Sequence, residues 1–292
     1  MDLGIKGKVA LVIASSRGLG QAMAVALAKE GVKVAVTGRS PEGLQKSVEL
    51  IEAAGGVALA LNWDLADHTV IDSLVSKVEK ELGPIDILIN NTGGPPPTPA
   101  AGQDPALWLK CFNDMVLSLI AITDRVLPGM RQRKWGRIIT STTSGAIAPI
   151  KNLAISNTLR AALLAWSKTL SAEVAAEGIT VNIIMPGRVA TDRLRQLDEA
   201  RAKRESISYD EVVKASLRQI PMGRYGDPKE YGDAAAFLAS QNASFITGTV
   251  MRIDGGQTQA VWFDSYPASS EVLGKIYDQP NYFGWSLPWH FL

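Results

Sequence analysis

Residues 8–31 read KVALVIASSRGLGQAMAVALAKEG. Lys8 to Ile13 is a short aliphatic and β-branched run, the composition of a parallel strand buried on both faces. Ser15, Ser16, Arg17, Gly18, Leu19 and Gly20 then form a turn rich in small residues. From Gln21 onward Met23, Ala24, Leu27 and Ala28 recur at helical spacing, and Gly31 stands where a helix ends. Strand, glycine turn and helix in that order aim the helix's unpaired N–H groups and its positive dipole end at the loop. A diphosphate can sit there on backbone donors with no side-chain bulk in its way. Two glycines alone would say little, but their position between strand and helix points to nucleotide binding.

Outward from this unit, strands and helices alternate. Strands are predicted at Lys33–Thr37, Gly56–Leu61, Ile85–Ile89, Arg137–Thr140, Ile179–Met185 and Thr249–Ile253. Helices open at Ser40-Pro41, at Asp104-Pro105 and at the capping box Asp227-Pro228-Lys229-Glu230, and a long one spans Ser156–Ala176. Trp108, Phe112, Met115 and Leu119 are expected to share one buried helix face, and the prolines from Pro95 to Pro99 to form a surface loop. The expectation is an α/β fold: a doubly wound parallel sheet of about seven strands with helices on both faces.

The chain has 292 residues, enough for one such domain with a substantial core. Its 30 basic and 29 acidic residues leave a net charge of +1, which gives no electrostatic pull toward nucleic acid or an anionic membrane. One cysteine, Cys111, excludes an internal disulfide and suits a reducing compartment, so a cytoplasmic protein is expected. The N-terminus lacks an apolar signal segment, and no apolar run is expected to be long enough to cross a bilayer. His68 and His290 have no cysteine or histidine near them, so no metal site is expected.

Two stretches exceed a minimal nucleotide fold, which is placed at residues 1–256. Residues 191–221 are charged and helical in pattern, with Ser208 and Glu211 as a second capping box. A lid over the ligand and a solvated helix pair account for them equally well. Residues 257–292, dense in aromatics from Trp262 to Phe291, read as an arm docked on a surface, a neighbouring subunit or the domain itself.

The order of segments up to Gly256 resembles the short-chain dehydrogenase/reductase family. The family's T-G-x-x-x-G-x-G turn aligns with Ile13, Ala14, Gly18 and Gly20, so its opening threonine and first glycine are replaced. Its N-N-A-G segment stands as Asn90-Asn91-Thr92-Gly93, its adenine-side acid as Asp64 beside Leu65, and its P-G-x-x-x-T segment as Pro186, Gly187 and Thr191 with Val189 between. The resemblance thus implies a dinucleotide held by Ala14, Ser16, Arg17, Gly18, Leu19, Gly20, Arg39, Asp64, Leu65, Asn91, Gly93, Arg160, Pro186, Gly187, Val189 and Thr191. NAD-preferring sites carry an acid after the second strand, whereas this chain has Gly38-Arg39-Ser40 there and Arg17 in the turn. Guanidinium forks match a 2′-phosphate, so NADP is expected over NAD.

The resemblance breaks at the catalytic positions. The family's asparagine, serine, tyrosine and lysine fall on Met115, Thr143, Ser156 and Arg160. Ser156 and Arg160 share one helix face, and Arg160 is expected to reach the nicotinamide ribose as the lysine would. A serine hydroxyl is a far weaker acid than a phenol of pKa ~10, and close charge pairing moves a pKa by only about 1–3. Ser156 and Thr143 can therefore orient a substrate oxygen, while the proton must come from elsewhere; Lys151, Tyr209 and Tyr282 are candidates.

Three readings stay open. One is an NADP(H)-dependent oxidoreductase interconverting a carbonyl and an alcohol on a small organic substrate. Another is a non-redox enzyme of the same fold using Thr143, Ser156 and Arg160 to bind an anion, and the last is a nucleotide-binding subunit without catalysis. The arginines of the lid, Arg193, Arg195, Arg201 and Arg204, hint at an acidic substrate group, although acids lie among them. The family is commonly dimeric or tetrameric, so a homodimer or homotetramer is expected.

Overall fold

The computed structural model describes residues 2–258. Among them seven parallel strands form one sheet in the order β3-β2-β1-β4-β5-β6-β7. They are β1 (Val9–Val12), β2 (Lys33–Gly38), β3 (Val57–Asn62), β4 (Ile87–Asn90), β5 (Gly136–Ser141), β6 (Ile179–Pro186) and β7 (Val250–Ile253). The helices are α1 (Gly18–Lys29), α2 (Pro41–Ala53), α3 (Ile71–Glu81), α4 (Pro105–Phe112), α5 (Ser118–Arg133), α6 (Ala154–Val174), α7 (Asp192–Glu205), α8 (Tyr209–Arg218) and α9 (Pro228–Ala239).

Alternation along each strand sends side chains to two separate cores. In β1, Val9 and Leu11 join Val75 of α3, Leu119 of α5 and Leu163 of α6, while Ala10 and Val12 join Leu27 of α1, Ile51 of α2 and Leu238 of α9. The doubly wound sheet expected from the sequence is therefore present. The strand order reverses between β1 and β4, and in sheets of this kind ligands bind outside the carboxyl ends of the strands at that point.

The predicted caps hold. Ser40 accepts from the Gly43 N–H ahead of Pro41, Asp104 accepts from Ala106, and the boxes Ser208/Glu211 and Asp227/Glu230 are both complete. Boundaries shift where apolar periodicity is silent. Helix α1 begins at Gly18 rather than Gln21, because Gly18 and Gly20 fill its first turn without a side chain to mark the period. Helix α6 begins at Ala154, ahead of the expected Ser156.

The apolar stripe expected through Trp108, Phe112, Met115 and Leu119 does not hold along its length. Met115 and Leu119 are buried, but Phe112 is 37% exposed. A π-helical segment, Asn113–Leu117, separates α4 from α5 and throws the two halves out of phase. The expectation that no run could cross a bilayer is also corrected: by length and composition the stretch Pro105–Arg133 could. Its Met115, Leu119, Ile122 and Val126 are instead spent on the core beneath the sheet. Cys111 of α4 is a buried free thiol.

The proline segment is more tightly tied than a surface loop. Pro95 and Thr98 are buried, and Thr98 bridges Leu153 through bonds to the Asn152 carbonyl and the Ala154 N–H. The aromatic arm lies outside the described residues beyond Thr258, and with it Tyr282 and His290.

Candidate active site

At the mouth, buried hydroxyls clamp the glycine turn to β2. Ser15 Oγ donates to the Val12 carbonyl at 2.7 Å and accepts from the Thr37 N–H at 2.9 Å. The Ala14 N–H reaches Thr37 Oγ1 at 2.9 Å, and Ser47 Oγ donates to the Ser15 carbonyl at 3.0 Å. Asn91 Nδ2 crosses from the end of β4 to the Ala14 carbonyl at 3.1 Å. Gly20 cannot be larger, since an added Cβ would stand 2.4 Å from that carbonyl oxygen and 2.8 Å from Asn91 Nδ2. Ala14 takes the left-handed region at φ 49°, where the family's turn has glycine.

Gly18, at φ +60°, faces Thr191, whose Cγ2 is 4.0 Å from an added Cβ, the nearest atom in that direction. Thr191 N-caps α7 by accepting from the Leu194 N–H at 3.3 Å, so the amino ends of α1 and α7 meet at one gap. Arg17 precedes α1 with an extended backbone and an exposed side chain. The donor set therefore fits the phosphates of a dinucleotide, with helix N-termini and a guanidinium around the opening.

Where the family resemblance puts the adenosine, Arg39 and Asp64 follow the carboxyl ends of β2 and β3. Arg39 Nη1 lies 4.0 Å from Asp64 Oδ2, both largely exposed, and Leu65 packs against the core. Ser16 lies against Gly38, where an added Cβ would meet its Oγ at 2.7 Å. Leu19 packs on the α1 side of the sheet. At the other end, the Gly187 N–H bonds the Ile253 carbonyl at 2.9 Å, and buried Val189 bridges Gly226.

Arg160 does not take the lysine's expected direction. It is fully buried, and its Nη1 donates to the Ser141 carbonyl at 2.9 Å while Nη2 reaches the Thr92 carbonyl at 3.1 Å and that of Gly93 at 3.4 Å. Its cation is spent on backbone at the ends of β4 and β5 rather than held out toward a ribose or an anion. Burial pushes it down to about 10, with Tyr231 acting in the opposite sense, so it stays charged at neutral pH. The reach of a guanidinium to several acceptors explains the difference, since lysine offers one compact ammonium.

Thr143 caps the short turn Ser144–Ala146, accepting from the Gly145 N–H at 3.4 Å. Ser156 is half-buried near the start of α6, and Asn157 beside it ties the loop after β5 by donating to the Ile150 carbonyl at 2.9 Å. Met115 is buried in the π segment. Lys151 and Tyr209 are exposed.

The matched comparisons cover almost all of this architecture. A family profile described as Enoyl-(Acyl carrier protein) reductase matches residues 13–258. The chain belongs to the short-chain dehydrogenase/reductase family. It is 33% identical to 3-oxoacyl-(acyl-carrier-protein) reductase of Vibrio cholerae over 256 residues, covering 87% of this chain and 98% of the relative. Acetoacetyl-CoA reductase of Shinella zoogloeoides is 35% identical over 250 residues, covering 86% and 98%. The structure of L-sorbose reductase from Gluconobacter frateurii, complexed with NADPH and L-sorbose, has a TM-score of 0.84 at 30% identity and covers 89% of this chain and 100% of that one. This short-chain dehydrogenase/reductase is an NADP-dependent oxidoreductase.

Of two further residues here, Tyr231 carries no signal in the sequence and Arg193 carries only one that it shares with the other lid arginines. Tyr231 of α9, fully buried, donates to the Ile184 carbonyl at 3.0 Å and lies 2.9 Å from Ser141 Oγ. Arg193 of α7 reaches the Pro95 carbonyl at 2.8 Å. The only available sequence cue for Arg193 was its membership of the lid arginines.

Proposed function

We propose that the enzyme interconverts a carbonyl and an alcohol on a small organic substrate without a tyrosine acid at the family's usual position. When bound, NADP(H) supplies or accepts the hydride. The observation that carries the reading is the contrast between the two halves of the site: the turn around Gly18 and Gly20 is kept and braced, while all four acid–base positions are changed. Thr143 and Ser156 have hydroxyls able to hold a substrate oxygen. Arg160 supports the walls by binding the carbonyls of Thr92, Gly93 and Ser141. That use of Arg160 weighs against the non-redox reading, which needs its guanidinium free for an anion.

Hydride transfer depends first on proximity, with proton transfer adding ~10²–10⁴-fold, so turnover slower than that of tyrosine-bearing relatives is expected. Residues 191–221 act as a cover over the substrate, pinned at one side by buried Asp198, which accepts from Arg188 Nη1 at 2.6 Å and from Tyr225 at 2.8 Å. A homodimer or homotetramer is supported by exposed Leu109, Phe112 and Leu117 along α4 and the π segment, and a cytoplasmic location by the single, buried thiol.

Titration with NADPH and NADH, followed by nicotinamide fluorescence, tests the coenzyme; NADPH should bind more tightly. Oxidation of bound NADPH by members of a ketone and aldehyde panel tests the reaction. Binding without oxidation by any carbonyl would replace this reading with that of a non-catalytic subunit.

A further inference from the structure

The structure sorts the arginines of the lid. Arg195 pairs with Asp192 at 3.8 Å, while Arg201 and Arg204 both pair with Glu205, at 2.9 and 3.2 Å. Arg193 alone of the four has no carboxylate partner among the described residues. It leaves the first turn of α7 toward the segment after β4, where its Nη2 donates to the Pro95 carbonyl at 2.8 Å. It remains open to solvent.

It passes close over Gly94, where an added Cβ would stand 3.1 Å from Arg193 Nη2. The backbone strip from Thr92 to Pro95 is thus bracketed by two guanidiniums, Arg160 on the carbonyls of Thr92 and Gly93 and Arg193 on that of Pro95. Arg17 lies near enough to oppose Arg193's charge, and Arg193 in turn opposes that of Arg160. None of the three has a carboxylate partner among the described residues. Arg17 and Arg193 are the exposed pair, and an entering anion would relieve the repulsion between them.

We infer that Arg193 is a ligand-binding residue of this site, taking an anionic oxygen group, carboxylate or phosphate, that enters between Gly94 and the amino end of α7; the assignment rests on the NADP-dependent function proposed above. A guanidinium already bonded to one carbonyl keeps further N–H groups for such a group. Two sources offer that chemistry, the diphosphate of the coenzyme and an acidic group on the substrate. The other lid arginines, paired with Asp192 or sharing Glu205, serve the helix rather than the ligand.

The test compares wild type with Arg193→Gln, Arg193→Lys and, as control, Arg195→Gln. NADPH affinity is measured by nicotinamide fluorescence, and the NADPH complex is then titrated with acetoacetate and with its neutral ethyl ester. Loss of a charge-assisted bond should weaken the anion's binding about tenfold or more in Arg193→Gln, with partial recovery in Arg193→Lys and none of the effect in Arg195→Gln. The deficit should shrink as ionic strength rises.

Weakened NADPH binding assigns Arg193 to the coenzyme's phosphates. Unchanged NADPH binding with selective loss of acetoacetate, the ester unaffected, assigns it to the substrate. If folded Arg193→Gln matches wild type in both titrations, the inference fails and Arg193 only ties α7 to Pro95. Absence of NADPH binding in wild type would instead overturn the proposed function, before Arg193 is put to the test.

Discussion

Arg160 and Tyr231 meet through Ser141: the guanidinium donates to the Ser141 carbonyl at 2.9 Å, and the Ser141 hydroxyl lies 2.9 Å from the phenol oxygen. This chain of bonds passes through the sheet. Arg160 comes from α6 on one face, and Tyr231 belongs to the core on the other, among α1, α2 and α9. Burial pushes the Tyr231 phenol well above its usual range, against the opposing effects of Ser141 and Arg160. Buried and bonded to the Ile184 carbonyl and Ser141, Tyr231 braces the sheet.

Restoring the family's lysine should do harm. In Arg160→Lys one ammonium replaces contacts to the carbonyls of Ser141, Thr92 and Gly93. Each buried acceptor left unmatched costs about 1–3 kcal/mol, so a loss of about 2 kcal/mol or more is expected in urea unfolding. Turnover should not rise, since Ser156 remains without a phenol.

Ala14→Gly should stabilise the protein slightly. The left-handed conformation at φ 49° costs an alanine about 1–2 kcal/mol. Glycine's greater freedom in the unfolded chain offsets about 0.5–1 kcal/mol of that gain. A Tm increase with unchanged NADPH affinity is expected by thermal melting.

Arg39→Ala should change coenzyme preference. The Arg39–Asp64 pair, 4.0 Å apart with side chains 78% and 53% exposed, is worth at most ~1 kcal/mol and yields easily to a phosphate. NADPH affinity should fall about tenfold in fluorescence titration, with NADH affinity almost unchanged. Equal loss for both coenzymes would place Arg39 away from the 2′-phosphate.

Acid should reveal the α9 cap. Arg224 above all, then the Asp227 N–H, holds the Glu230 carboxyl down to about 2 from an ordinary 4.5. The unfolded chain therefore takes up this proton at a higher pH than the folded one. The stabilisation is complete above about pH 4.5 and is lost as pH falls toward about 2. Glu230→Gln should flatten that part of the stability profile relative to wild type in urea melts across pH 2 to 6.

Much of the architecture was legible because it depends on local signals. The caps at Ser40, Asp104, Ser208 and Asp227 act within a few residues and stand at the expected positions, and the first strand and glycine segment differ from expectation only at their ends, β1 being Val9–Val12 and α1 starting at Gly18. The Arg160–Ser141–Tyr231 chain was not legible, since Ser141 and Tyr231 are 90 residues apart and no local rule joins them. The sequence also left the lid arginines equivalent. Only the folded helices show that Arg201 and Arg204 share Glu205 while Arg193 points elsewhere. The π segment misled the reading of α4 because a strict helical period cannot register an extra residue.

That extra residue has a steric consequence for assembly. Each residue turns an α-helix by about 100°, so removing one between Asn113 and Leu117 would swing α4 around its axis by about that angle relative to α5. Leu109 and Phe112, now outward, would be carried toward a different quarter of the molecule. A one-codon deletion there would thus redraw the face offered to any neighbouring copy while leaving the glycine turn and its braces in place.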